Sequence, residues 1–145
     1  MRVYEITERT PERLAELLAV WERSVRATHT FLSESEILRI RGYVPQALAA
    51  VPELAVLEDG RLLGFLGAGE GRLEMLFLDP DARGRGLGRA LLTYGLEQYA
   101  IREVTVNEQN PQAVGFYRHM GFSVFGRTDT DDQGAPYPLL RMRLP

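Results

Sequence analysis

Apolar and polar residues alternate over Arg2–Ile6 (RVYEI), which predicts a short first strand. The period then lengthens. Leu14, Leu17, Leu18, Trp21 and Val25 fall on one face of a helix over TPERLAELLAVWERSVRATH, with Thr10 as N-cap and Pro11 at the first helical position. SESEILRIRGYV predicts a second, shorter helix, capped by Ser33, with Glu36 completing a capping box and Gly42 as the stop. PQALAAVP carries no clear period and is read as a loop or single turn. Two strand-like runs follow around Glu58-Asp59-Gly60, and a third begins after Gly69-Glu70-Gly71, so three antiparallel strands end near Pro80. GRALLTYGLEQYA predicts a helix with Leu91, Leu92, Gly95, Leu96 and Tyr99 facing inward. REVTVNEQN reads as a strand. NPQAVGFYRHMGF reads as a helix with Asn110 as cap, Pro111 at the first position and Gly121 at the end, and SVFGRT and PLLRMRL as two final strands.

The order is β-α-α-β-β-β-α-β-α-β-β. One β-α-β crossover, from Leu73–Leu78 through the helix after Gly86 to Val104–Asn107, requires a parallel pair in an otherwise antiparallel sheet. The fold class is therefore α+β, a mixed, mostly antiparallel sheet with helices packed on it. No repeat or linker interrupts the 145 residues, which suggests a single domain over 1–145.

Composition removes several classes of chemistry. There is no cysteine, hence no disulfide framework, thiolate metal site or Cys nucleophile. Two histidines, His29 and His119, are too few for a metal cluster, so no metal is expected. The net charge of −3 argues against bulk nucleic-acid binding. No run reaches the ~18 apolar residues of a membrane span, and MRVYEITERTPERL lacks a signal-peptide core. The expectation is a cytoplasmic protein with no membrane partner.

The stretch LDPDARGRGLGRALL stands apart. Gly84, Gly86 and Gly88 alternate with arginines 83, 85 and, after Gly88, Arg89, between a strand and a helix. A helix N-terminus presents unpaired N–H groups and partial positive charge, which phosphate oxygens match. Glycine lets those groups approach an anion closely, and arginine adds charge-assisted bonds. The spacing is neither a P-loop, since no Lys-Ser/Thr follows, nor the dinucleotide G-x-G-x-x-G. A plain turn with solvated arginines is the alternative.

Arg83-x-x-Gly86-x-Gly88 resembles the Q/R-x-x-G-x-G/A motif of the GNAT acetyltransferases, whose loop binds the pyrophosphate of acetyl-CoA. The resemblance covers the whole chain and includes NEQNPQAVGFYRHMGF. Within the family the chain is similar to the YjaB-type bacterial members through WERSVRATHTFLS, LFLDPDARGRGLGRALL and DDQGAPYPLL. It implies the three-layer GNAT fold, with helices on both faces and two parallel strands splayed around Leu76 and Val106. It also implies an N-acetyltransferase that uses acetyl-CoA and a primary amine in direct attack. Leu76, Phe77 and Leu78 would meet the pantetheine arm through their main chain. Arg83, Gly84, Arg85, Gly86, Leu87, Gly88 and Arg89 would hold the phosphates, and Asn110 would face the cofactor as well as cap its helix.

Tyr117 aligns with the family tyrosine that protonates the leaving thiolate. A phenol with pKa ~10 is suited to that, although a core tyrosine fits the same pattern. The family's usual glutamate position falls on Arg72, a departure. Glu74, two residues on along the same strand face, is the candidate base, or else a solvated or salt-bridged residue. The first two helices and the last hairpin build the acceptor side in the family. Trp21, Ser24, Thr28 and His29 share a helical face there, and His29 is suited to orienting or deprotonating an amine. His119 reads as surface, and Asp129, Asp131 and Asp132 as a solvated turn that would attract a cationic amine. The acceptor stays open between a protein lysine or N-terminus and a small amine such as an amino acid, polyamine or aminoglycoside. A non-catalytic acyl-CoA sensor is the rival class. Family members are often homodimers, but no exposed apolar stripe requires one here.

Overall fold

The computed structural model describes residues 1–145. The strands are β1 (Arg2–Glu5), β2 (Glu53–Glu58), β3 (Leu62–Gly69), β4 (Arg72–Leu78), β5 (Glu103–Asn107), β6 (Ser123–Thr128) and β7 (Leu139–Arg143). The helices are α1 (Pro11–Thr28), α2 (Glu34–Arg41), α3 (Val44–Ala50), α4 (Leu87–Gln98) and α5 (Pro111–His119), with a 3₁₀ turn at Pro80–Ala82. The seven strands form one sheet in the order β1-β2-β3-β4-β5-β7-β6. Every neighbouring pair is antiparallel except β4–β5. None of the helices is long and apolar enough to cross a membrane.

Alternation along the strands separates two cores. Leu54 and Val56 of β2 join Leu17, Val20, Trp21, Ile37 and Leu48 on the face covered by α1, α2 and α3. Ala55 and Leu57 join Leu91, Leu92, Val114 and Met142 on the face covered by α4 and α5. The sheet is thus the middle of three layers, as the family resemblance implied. α4 lies very close to β3: a Cβ on Gly95 would come within 2.9 Å of Leu66 and 2.7 Å of Ile101. That contact fixes where the N-terminus of α4 sits relative to the strands.

The cap residues act as expected at three helices. Thr10, Ser33 and Asn110 each accept a bond from the backbone N–H three residues on. Gly42 differs from expectation. It has φ −64° and ψ −24°, ordinary right-handed helix geometry, so it does not stop the chain in a left-handed cap. The backbone turns through Tyr43 into α3, a 7-residue helix in the segment read from sequence as a loop or single turn. Pro45 sits in the first turn of α3, while Val44 and Leu48, four apart, are the residues it buries.

Two irregularities shape the centre of the sheet. β3 and β4 pair Gly67 with Met75 and Ala68 with Leu73, leaving Glu74 as the extra residue of a β-bulge. β4 and β5 pair only at Arg72–Glu103 and Leu73–Val104. Beyond that point they diverge, and the β5-facing edge of Met75–Leu78 has no strand partner.

Candidate active site

The divergence of β4 from β5 opens a cleft. A cavity of about 370 Å³ runs from the loop before α4 to Ser24, Thr28 and His29 at the end of α1. A second, of about 190 Å³, reaches down the splay to Leu73, Glu74 and Val104. The two share His29, Leu76, Phe77, Asn110, Ala113 and Tyr117, and so form one bent cleft.

The loop end is an anion cradle. Gly86 is the N-cap of α4 at φ +71°, a left-handed conformation that side chains rarely adopt, and no side chain caps the helix there. The first N–H groups of α4 are left for a ligand. Arg83 and Arg89 line the cavity and make no ion pair within the protein. Arg85 is placed otherwise: it points away to Asp59, 2.7 Å from its carboxylate, and does not line the cavity. Gly84, Leu87 and Gly88 complete the lining near the helix mouth, Leu87 buried against the core. Unpaired arginines, uncapped amides and a strand edge without a partner together fit the phosphates and amide-bearing arm of acetyl-CoA.

A clamp that the sequence did not disclose holds this loop. Asp79, 1% exposed, accepts from Arg23 of α1 at 2.7 Å, from Arg61 of the β2–β3 turn at 3.1 Å and from the Asp81 amide at 3.0 Å. Burial pushes its carboxyl up, but the amide and the two guanidiniums together hold it below the usual carboxylate value. One carboxylate thereby ties α1, the β2–β3 turn and the entrance of the glycine-rich loop.

At the bend stands Tyr117, packed edge-on against Phe116 and Phe122 with ring centroids 5.4 and 5.9 Å away. Burial raises its phenol well above the ordinary value, so it stays protonated. The hydroxyl makes no hydrogen bond to the protein, and no fully enclosed side-chain polar atom lacks a partner. The O–H therefore opens to the cleft. Asn110 spends its Oδ1 on the Ala113 amide at 3.3 Å. By the same reasoning its side-chain N–H groups face the cleft. Capping and cofactor-facing roles are thus compatible.

The end of the cleft away from the glycine loop is assembled from side chains. His29 caps the C-terminus of α1 and lines both cavities. Its Nδ1 lies 2.7 Å from Thr28 Oγ1, whose hydroxyl donates to the Ser24 carbonyl at 2.9 Å. Burial lowers the His29 pKa. Phe31 stacks 5.4 Å from His29, and Tyr137 lies 6.0 Å beyond Phe31, donating its O–H to Glu36 at 2.7 Å. These rings form an aromatic row leading away from His29.

Glu74 lines the deeper cavity from the bulge. Its side chain is 46% exposed and 3.9 Å from Arg72. Trp21 is not brought to the cleft: it is 5% exposed and packed in the core beneath α1, although Ser24 and Thr28 on the same helix face do line the cavity. Asp129 pairs with Arg127, Asp131 accepts from the Gln133 and Ala135 amides, and His119 is exposed at the end of α5.

Comparison with known proteins identifies the family. The acetyltransferase (GNAT) domain family matches residues 45–144. The chain is 44% identical to the peptidyl-lysine N-acetyltransferase YjaB of Escherichia coli strain K12 over 145 residues, 97% of this chain and 96% of that protein. It is 43% identical to the YjaB of Salmonella typhimurium strain LT2, covering 89% of this chain and 90% of that one. The solution structure of apo-form YjaB from Escherichia coli superposes with a TM-score of 0.87 at 41% identity, covering 99% of this chain and 97% of that one. An N-acetyltransferase from Thermoplasma acidophilum, solved in complex with coenzyme A, shares the fold with a TM-score of 0.68 at 22% identity, over 99% of both chains. The chain belongs to the GNAT family of acetyl-CoA-dependent N-acetyltransferases.

Proposed function

We propose that this chain acetylates the ε-amine of lysine in proteins, as one cytoplasmic catalytic domain. The observation that carries the reading is its 44% identity, over 97% of its length, to a protein named for peptidyl-lysine acetylation. The aromatic row supports it, since Phe31 and Tyr137, half-buried beside His29, supply apolar surface suited to the methylene stem of a lysine.

Bound in the cleft, acetyl-CoA supplies an acyl thioester. Arg83, Arg89 and the amides opening α4 hold its phosphates. The unpaired edge of Leu76, Phe77 and Leu78 and the free N–H groups of Asn110 orient its arm. An N–H on that edge polarises the thioester carbonyl. Tyr117 holds a proton on its hydroxyl and gives it to the leaving sulfur. Glu74, at the bulge, supplies the negative charge that draws an ammonium toward the bend of the cleft.

The test offers acetyl-CoA with a lysine peptide blocked at its N-terminus, the same peptide unblocked but lacking lysine, and a panel of small amines. Mass spectrometry then locates the acetyl group. Modification of the lysine side chain at the higher kcat/KM is the expected result. Transfer to a small amine alone would overturn the acceptor assignment.

A further inference from the structure

The cleft needs a group to take the proton from the attacking amine, and the family's usual glutamate position carries Arg72 in this chain. We propose that His29 is that group, kept in one tautomer by the Thr28 hydroxyl and, through it, the Ser24 carbonyl. The inference rests on amine acetylation as the reaction, not on lysine as the acceptor.

The tautomer follows from counting hydrogens. Thr28 has one hydroxyl hydrogen, and it goes to the Ser24 carbonyl at 2.9 Å. With that hydrogen so placed, Thr28 Oγ1 accepts from His29 Nδ1, 2.7 Å away, the direction the proposal assigns to this contact. Nδ1 therefore carries the ring hydrogen. The neutral ring has its lone pair on Nε2, the nitrogen left for the two cavities that His29 lines. Burial keeps the ring neutral before reaction. Once protonated, the ring is stabilised by its place at the C-terminus of α1, where the helix dipole is negative. A site that disfavours the cation at rest and supports it when it forms suits a general base.

The titratable and charged groups around His29 are few. Tyr117 of α5 and Glu74 of β4 share the deeper cavity with it, and Arg83 and Arg89 share the outer one. Beyond Phe31 lie Tyr137 and the Glu36–Arg39 pair. Glu74 is a weaker candidate because it is half exposed and beside Arg72. Carboxylates in general, with pKa ~4, are also further than imidazole, at ~6.5, from the pH of the reaction.

The step balances. The ammonium first releases one proton to solvent; the neutral amine nitrogen then bonds to the acetyl carbon, and its next proton passes to His29 Nε2. The carbon–sulfur bond breaks, and the sulfur leaves with the electron pair and takes the Tyr117 hydroxyl proton. A proton returned through solvent from the imidazolium to the phenolate restores both side chains.

Two readouts test this. Long-range proton–nitrogen NMR of the unliganded protein reports His29 directly, with His119 as an exposed reference. The expected result at pH 7 is a neutral ring protonated on Nδ1, titrating below the ~6.5 of free histidine. Thr28→Val should abolish the tautomer preference. In kinetics, His29→Asn should lower kcat/KM by about 10²–10⁴-fold. It should also remove the acid limb of the pH profile and leave acetyl-CoA affinity unchanged. A ring protonated on Nε2 or charged at pH 7 would overturn the proposal. So would an acid limb that survives in His29→Asn and vanishes in Glu74→Gln. If the wild type modifies a small amine but no lysine peptide, the lysine reading fails and His29 is tested on that amine.

Discussion

At the Arg83–Arg89 end of the cleft, binding is offered chiefly by backbone: uncapped amides of α4, a strand edge freed by the splay, and glycine at positive φ, with the Arg83 and Arg89 side chains added. At the His29 end it is offered by side chains from α1, the α1–α2 loop, the bulge of β4 and the loop before β7. A backbone site needs a local sequence, because glycine placement, strand and helix start all lie within about twenty residues. A side-chain site needs only that distant residues meet, and its chemistry changes with one substitution. One end thus suits a shared cofactor, and the other suits an acceptor peculiar to the protein.

The sharpest way to break this contrast lies at the bend. Tyr117→Phe keeps the ring packing against Phe116 and Phe122 and removes only the proton donor. Steady-state kinetics should show kcat reduced by about 10²–10⁴-fold. Calorimetry should show acetyl-CoA affinity unchanged. Full activity in this variant would remove Tyr117 from the chemistry.

Asp79→Asn should loosen the loop from behind. Losing the charge that two guanidiniums share costs about 1.5–3 kcal/mol, readable in urea melts, and cofactor affinity should weaken with it. The pH dependence has a definite sign. The folded carboxyl lies below its unfolded value of about 3.9, so its contribution is complete above that pH and disappears as pH falls through the folded value. The stability gap between wild type and variant should close on acidification below pH ~4. A gap independent of pH would show that the carboxylate charge is not what holds the loop.

Arg83→Ala should weaken acetyl-CoA binding about tenfold, for ~1.5 kcal/mol of charge-assisted bonding, while Arg85→Ala, whose guanidinium is turned to Asp59, should change it little. Equal losses would mean that Arg85 swings into the site. The smallest effect is expected at Tyr137→Phe. Losing its bond to Glu36 should raise the acceptor KM by a few-fold, about 1 kcal/mol or less, with cofactor affinity unmoved.

The comparison also explains what was legible. The glycine-rich loop between strand and helix, the crossover and the parallel pair followed from local pattern, and the structure has each in place. α3 was missed because it buries only Val44 and Leu48 and follows a glycine that stays helical. The bulge at Glu74 left no signal, since no glycine marks it and it is defined by pairing with Gly67 and Ala68. Asp79 read as the end of a strand because its arginines stand 56 and 18 residues away. Spacing put Trp21 on the same face as Ser24 and Thr28, which is correct. It could not tell that the first packs into the core while the others reach the cleft.

The placement of the cofactor is the claim on which the rest depends, and amide hydrogen exchange with and without coenzyme A tests it most directly. The account predicts slowed exchange at Leu87, Gly88 and Arg89 and along Leu76–Leu78, with the outer strands β1 and β6 unchanged. Protection elsewhere, with these amides exchanging as before, would contradict it.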